Sequence, residues 1–303
     1  MAQATTDTGT IEIQNLKVRK HKSPKSGTHY HVAKSNSKKF VKSLSLPFAL
    51  FLLLFVLIPI LFIVFYAFTD ANGNFTFNAF VSFFTNSVKL NVLLISLLIG
   101  IFNTVLCLLI TFPLSYLLAN PKINRNYILV MLFVMPMWIN FVLRTGALRD
   151  LLTIMLGWFG TTTGEHPLFC TMIGMVTNYI PFTILPLYST MLKLDRSQIE
   201  AASDLGCNPI QVFTRNIIPQ AMPGIVSAGM MVFMPTISSY VISDTLSEGK
   251  IMLFGNSIYL SFSYSDWNGG SFMSLIMLII IFIVMFSTRK FDRGSEKKGA
   301  GAW

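Results

Sequence analysis

Residues able to do covalent chemistry are few in this sequence and poorly spaced for it. Of the four histidines, His21, His29 and His31 lie near the N-terminus and His166 stands apart, so no HExxH or comparable metal-and-base pair exists. Cys107, Cys170 and Cys207 have no CxxC spacing, which indicates neither a disulfide framework nor a thiolate metal site. No GxxxxGK(S/T) phosphate loop occurs, so no ATP site is expected in this chain. The chemistry on offer is recognition. Residues 195–220, DRSQIEAASDLGCNPIQVFTRNIIPQ, form a long polar interruption in a very apolar chain. Ser197 with Glu200 three residues on predicts a capping box, and Gly206 a left-handed stop to that helix. Asn208 predicts a second cap, with Pro209 at the first helical position and an end before Pro219. Ile210, Phe213 and Ile217 recur at i, i+3, i+7 as one apolar face, with Gln211, Thr214 and Arg215 directed elsewhere. Ala201 and Ala202 keep the first helix slim. The pair reads as a plug for a groove in a soluble partner.

Polar residues also recur inside the apolar runs, where they are expensive and face a bundle interior or a water path. Thr236, Tyr240 and Ser243 fall at i, i+4, i+7 with Asp244 just beyond, which predicts one polar helical stripe. Asn103, Thr104, Trp138, Asn140, Asn178 and Tyr179 are further candidates for a solute path. Interhelical hydrogen bonding is the competing explanation for each Ser, Thr or Asn. The stretch 243–270 sets Asp244, Glu248 and Asp266 against Lys250, interleaved with Tyr259, Phe262, Tyr264 and Trp267. Carboxylates with aromatic faces suit an organic cation. An aromatic belt at the membrane interface is the other reading of those rings.

The elements that must position these residues follow from composition. The 303 residues are 53% hydrophobic and only 12% charged, against about 25% charged in soluble domains. The bilayer is therefore the expected solvent. Apolar runs at 44–68, 90–118, 127–143, 169–192, 222–242 and 271–288 predict six spans, the first too long for a cleaved signal peptide. Residues 1–43 read as a basic, disordered tail, 44–288 as one six-span domain carrying the 195–220 loop, and 289–303 as a C-terminal tail. Nine of the 23 Lys and Arg precede residue 44, a placement that suits anionic lipid headgroups rather than nucleic acid. The two tails and the loops 119–126 and 193–221 hold 19 basic residues against 4 in the opposite loops. By the positive-inside rule, both termini and the 195–220 loop face the cytoplasm.

Glu200-Ala201-Ala202, Gly206 four residues later and Ile218-Pro219 beyond it resemble the EAA loop of ABC importer permeases. The resemblance implies an all-α, six-span, type I (MetI-like) fold in the cytoplasmic membrane of a prokaryote. It also implies that the loop docks on an ATPase, with Glu200, Ala201, Ala202, Asp204, Gly206, Ile210 and Phe213 as coupling residues. Met135-Pro136-Met137-Trp138-Ile139-Asn140 with Leu143-Arg144, and Leu194-Asp195 before the loop, carry the likeness further. So do Met234-Pro235 through Ser243-Asp244, Phe254-Gly255-Asn256-Ser257-Ile258 and Asp266-Trp267. These stretches resemble the spermidine/putrescine permeases of that family, over roughly residues 44–290. The long basic N-terminal tail and the small Ser238 and Ser239 before Tyr240 depart from the pattern.

What the resemblance implies is a non-enzymatic transport subunit. Its partners would be a second homologous permease, two ATPase subunits that hold ATP and Mg, and an extracytoplasmic polyamine-binding protein. No cofactor or metal is expected in the chain itself. Trp138, Asn140, Thr236, Tyr240, Asp244, Asp266 and Trp267 would line the solute path. A permease for another small solute, and a secondary transporter, are the alternatives; the latter has no need of a capped helix pair in an inner loop.

Overall fold

The computed structural model describes residues 47–70, 73–121, 123 and 127–299, the last eleven by backbone alone. The N-terminal tail reading therefore falls outside the described residues. The described residues fall into two units that part between Phe55 and Val56. In the first, 47–55 is the exposed start of a helix whose Phe51 and Phe55 rings meet one turn apart, tilted by 33° with 4.9 Å between centroids.

The described secondary structure is helical apart from one isolated bridge between Thr69 and Phe75. Helix α1 runs Pro47–Ala67 and α2 Asn78–Thr85. Helix α3, Ser87–Leu118, starts where Asn86 accepts hydrogen bonds from the Val88 and Lys89 amides at 3.0 and 3.4 Å. Helix α4, Ile128–Trp138, tightens to a 3-10 turn over Met135–Trp138, and α5 is Phe141–Gly157. Then follow α6 (Pro167–Met191), α7 (Arg196–Asp204) and α8 (Pro209–Ser238). Helices α9 (Val241–Ser247), α10 (Phe254–Ser263) and α11 (Trp267–Gly299) complete the chain.

Among the described residues five helices, α1, α3, α6, α8 and α11, are long and apolar enough to cross a membrane, or six where the bent pair α4 and α5 is counted as one span. Three expected boundaries change. The third span is broken: α4 and α5 meet at 98° across Ile139 and Asn140. The fifth span does not begin near residue 222 but continues from Pro209 through a π turn at Phe213–Ile217, so Pro219 terminates nothing. Proline is tolerated there because it sits in the first turn after the π turn, where bonding is already irregular. The last helix runs past Thr288 as backbone to Gly299.

Helix α6 is the centre of the second unit. More than half of its most apolar window, 56%, is buried, against 28% for α3 and α8 and 22% for α11. It packs against α3 and α8, which also pack on each other. One apolar cluster joins Phe112, Leu187, Met191, Val212 and Ala221 at the end near α7. A second joins Cys107, Met175, Val232, Ile242 and Leu246, and a third Ala67, Phe83, Phe254 and Phe272. Between them, polar side chains bond inside the protein. Asn103 donates to the Thr236 hydroxyl at 2.9 Å, and Thr236 donates to the Val232 carbonyl at 2.7 Å.

Candidate functional site

Two regions carry the residues singled out by sequence, and they are built differently. The first is a pocket of about 580 Å³ where two helices break. Helix α4 ends at Trp138, Ile139 is extended (φ −79°, ψ 139°), and α5 begins under the Asn140 cap. Across the pocket α8 ends at Ser238, Ser239 is extended (φ −68°, ψ 129°), and α9 begins after Tyr240. The residues of both breaks line the pocket together with Phe141, Arg144, Tyr179 and Phe182.

Broken backbone at membrane depth needs partners inside the protein, and this chain supplies them. Asn140 accepts from the Val142 and Leu143 amides at 2.9 and 3.4 Å. Arg144 Nη1 donates to the Pro136 carbonyl at 2.8 Å, and its Nε and Nη2 donate to the Asn178 side chain and carbonyl at 2.7 and 3.3 Å. Tyr179 Oη donates to the Pro235 carbonyl at 3.2 Å. Tyr240 stacks on Tyr259 with centroids 4.8 Å apart and planes 8° from parallel. Gly255 lies so close to the end of α8 that a β-carbon there would collide with the Ser238 carbonyl. The pocket wall therefore presents aromatic faces and hydroxyls. Among the described residues its single charged lining group is Arg144, which is committed to three acceptors.

The second region is the 195–220 hinge. Its two helices form, but with different caps from those expected. Asp195 caps α7, accepting from the Ser197 amide at 3.0 Å, the Ser197 hydroxyl at 2.6 Å and Gln198 Nε2 at 2.9 Å. These bonds, that of the Ser197 side chain foremost, hold the Asp195 carboxyl below its ordinary pKa. No Ser197–Glu200 box forms; a carboxylate is the stronger acceptor, and Glu200 is left exposed. Helix α7 ends in a Schellman arrangement: Gly206 (φ +85°) donates to Ser203 and Cys207 to Ala202, at 3.0 and 3.2 Å. Asn208 and Gln211 form the capping box of α8, with bonds of 2.8 and 3.1 Å.

The expected apolar face is split in two. Phe213 packs inward, edge-on to Phe112 at 5.3 Å and Tyr116 at 6.2 Å, and Ile217 is buried. Ala202 and Ile199 pack inward as well. Leu205 and Ile210 stay 85% and 74% exposed, flanked by Glu200, Ala201 and Asp204. Ile210 sits in the first turn of α8 at the exposed end of the hinge, whereas Phe213 and Ile217 lie farther along, where the helix meets the bundle.

Of the candidate path residues, Trp138, Asn140 and Tyr240 line the pocket. Thr236 does not; it is fully buried in its bond to Asn103. Asp244 does not either, because the break at Ser239 turns α9 away from the stripe that a continuous helix would have made. Its side chain is exposed. Asp266 caps α11 through the Gly269 amide at 3.0 Å, and Trp267 packs edge-on to Phe262. Sequence reasoning did not single out Phe182, Ser238 or Ser239 for this wall. The signal was present: each break follows a Met-Pro pair, Met135-Pro136 and Met234-Pro235, by three or four residues.

A bundle of five or six spanning helices, two of them interrupted at one pocket, with a capped hinge at the end of another, is the architecture of a transport permease. The chain belongs to the family of binding-protein-dependent transport system inner membrane components, whose model matches residues 111–297. It is an ABC importer permease, a multi-pass inner membrane protein. It is 32% identical over 267 residues to the spermidine/putrescine transport system permease protein PotB of Haemophilus influenzae, covering 81% of this chain and 93% of that protein. PotB of Escherichia coli K12 is 32% identical over 218 residues, covering 68% and 79% respectively. The fold resembles a chain of a bacterial ABC transporter involved in alginate import, with a TM-score of 0.65 at 15% identity, covering 85% of this chain and 96% of that one.

Proposed function

We propose that this chain is the permease subunit of an ATP-driven importer of polyamines of the spermidine and putrescine class. Similarity over 93% of the length of a spermidine/putrescine permease carries the substrate reading. The pocket supports it: Trp138, Tyr179 and Tyr240 offer aromatic faces to an ammonium, and the one cation on the wall is tied to Asn178 and Pro136. Solutes bearing a carboxylate are the second reading, favoured by the same Arg144.

The functional cycle follows from linkage. The exposed Leu205 and Ile210, with Glu200, Ala201 and Asp204 beside them, dock on an ATPase subunit on the cytoplasmic side, where the basic loops lie. ATP binding on two such subunits, with Mg, draws the hinge with it, and α8, continuous with the hinge, tilts at the pocket. A second permease of the same fold completes the path, and an extracytoplasmic binding protein delivers the solute.

Uptake of radiolabelled spermidine in cells with and without the chain tests the proposal. Uptake should depend on the chain and be competed by excess putrescine. Competition by a dicarboxylate and not by putrescine would replace polyamine with the second reading.

A further inference from the structure

Helix α7 is joined to the base of α8 by a closed set of polar bonds that the sequence separates by 18 to 25 residues. The Asp195 amide donates to Gln220 Oε1 at 3.0 Å, and Asn216 Nδ2 donates to the Gln198 carbonyl at 3.0 Å. Gln220 Nε2 donates to Asn216 Oδ1 and, at 3.4 Å, to Gln198 Oε1. Gln198 Nε2 closes the set on the Asp195 carboxylate at 2.9 Å. Arg196 adds a bond of 3.3 Å to the Ala119 carbonyl, at the end of α3. Underneath, Ile199, Ala202 and Cys207 pack on the cluster of Phe112, Met191 and Ile217.

We infer that Gln198, Asn216 and Gln220 are positioning residues that make α7 and the base of α8 one rigid body through the transport cycle. Force applied at Leu205 and Ile210 then reaches the pocket-side end of α8 without loss in a hinge. The geometry favours this over a joint. A joint between two helices needs a segment free to change its backbone angles. Here the connecting Leu205–Asn208 turn is already fixed by the Schellman bonds at one end and the Asn208–Gln211 box at the other. Each glutamine and asparagine uses both its donor and its acceptor, an arrangement that single-point loosening breaks in several places at once.

The inference rests on the proposed docking of α7 on an ATPase, and one experiment separates the two. In the full chain carrying Cys207→Ser, Gln198→Cys and Asn216→Cys are bridged in cells by a short bis-methanethiosulfonate linker. Spermidine uptake should rise on bridging toward that of the chain carrying Cys207→Ser alone, because the linker stands in for the amide bonds that the two cysteines remove. Loss of uptake on bridging that reverses with reductant shows that the elements must part, and overturns the inference. In unbridged chain, Asn216→Leu with Gln220→Leu should lower uptake about tenfold, with ATP hydrolysis by the purified importer and recovery of its ATPase subunit little changed. Gln220→Glu, which keeps the volume and withdraws the amide donor, should go the same way where the leucines impair insertion. Unchanged uptake in both overturns it. Leu205→Asp reports on the docking alone: an ATPase subunit still recovered at full yield would sink that reading whatever the bridge does.

Discussion

The hinge and the pocket solve one problem, a chain that must stop being helical, with opposite materials. At the hinge, Asp195, Gly206 and Asn208 end and begin helices with local side-chain bonds and a left-handed glycine. At the pocket the Asn140 cap is local, but Ile139 and Ser239 are ordinary residues in extended conformation, and the freed carbonyls of Pro136 and Pro235 are held by Arg144 and Tyr179, with Gly255 packed close to the end of α8. A water-facing turn can carry its own partners, because solvent satisfies whatever they miss. A turn within the bilayer has no such reserve and must be satisfied by tertiary neighbours.

That contrast predicts the largest effect at the hinge. Gly206 has open space where a β-carbon would sit, so its requirement is conformational alone, φ +85°. Gly206→Val should cost about 1–3 kcal/mol of backbone strain, misplace Leu205 and reduce spermidine uptake tenfold or more. Gly206→Asn, which tolerates the left-handed region, should restore most of it. Equal losses in Val and Asn variants at normal expression would mean that the space, not the angle, matters, and that a partner fills it.

The same contrast explains what could be read from sequence. Six apolar runs, the two hinge helices, Gly206 and the Asn208 cap were legible because each rests on neighbours within four residues. The choice of Asp195 over Ser197 as cap was a contest between two good candidates two residues apart, decided by charge. The breaks at Ile139 and Ser239 were legible only as the Met-Pro pair upstream of each, which marks a weak point but does not fix a break. The prolines that loosen α4 and α8 lie upstream, and the atoms that stabilise the broken ends come from Asn178, Tyr179 and Gly255, remote in sequence. Treating α8 and α9 as one helix put Asp244 on one stripe with Thr236 and Tyr240; the break turns Asp244 off the pocket wall, while Thr236, ahead of the break, is buried against Asn103.

At the pocket, Tyr240 is the residue to remove. Its stack on Tyr259 is worth about 0.5–1.5 kcal/mol beyond area burial, so Tyr240→Ala should lower uptake about three- to tenfold. Tyr240→Phe keeps the ring and should stay near wild type. Asp244→Asn is the control, exposed and off the wall, with uptake expected within about twofold. If Asp244→Asn is the more damaging, the path runs over α9 and the pocket is not the route.

A smaller effect distinguishes packing from path. Thr236→Val leaves the Asn103 amide without its acceptor, a loss averaging about 0.6 kcal/mol in membrane proteins. The detergent-solubilised protein should melt slightly lower, and Asn103→Leu with Thr236→Val should recover the difference, with uptake unchanged throughout. A change in spermidine KM without a change in melting would put Thr236 back in the path.

The smallest effect belongs to Asp195, and its sign is fixed. Its carboxyl is held below the ordinary value by Ser197 and Gln198, so the ionised form is the one that the folded hinge prefers. Its contribution to the folded state is complete above the unfolded carboxyl pKa of about 4 and disappears as pH falls through the lower folded value. From pH 8 to pH 5 the protease sensitivity of the 195–220 hinge should therefore be flat, and it should rise only in strong acid. Asp195→Asn retains an acceptor for Ser197 and removes the charge, so it should abolish that acid-dependent step while raising the baseline slightly. Were the step to persist in Asp195→Asn, another carboxylate would control the hinge, and Glu200 or Asp204, both exposed on α7, would be next to replace.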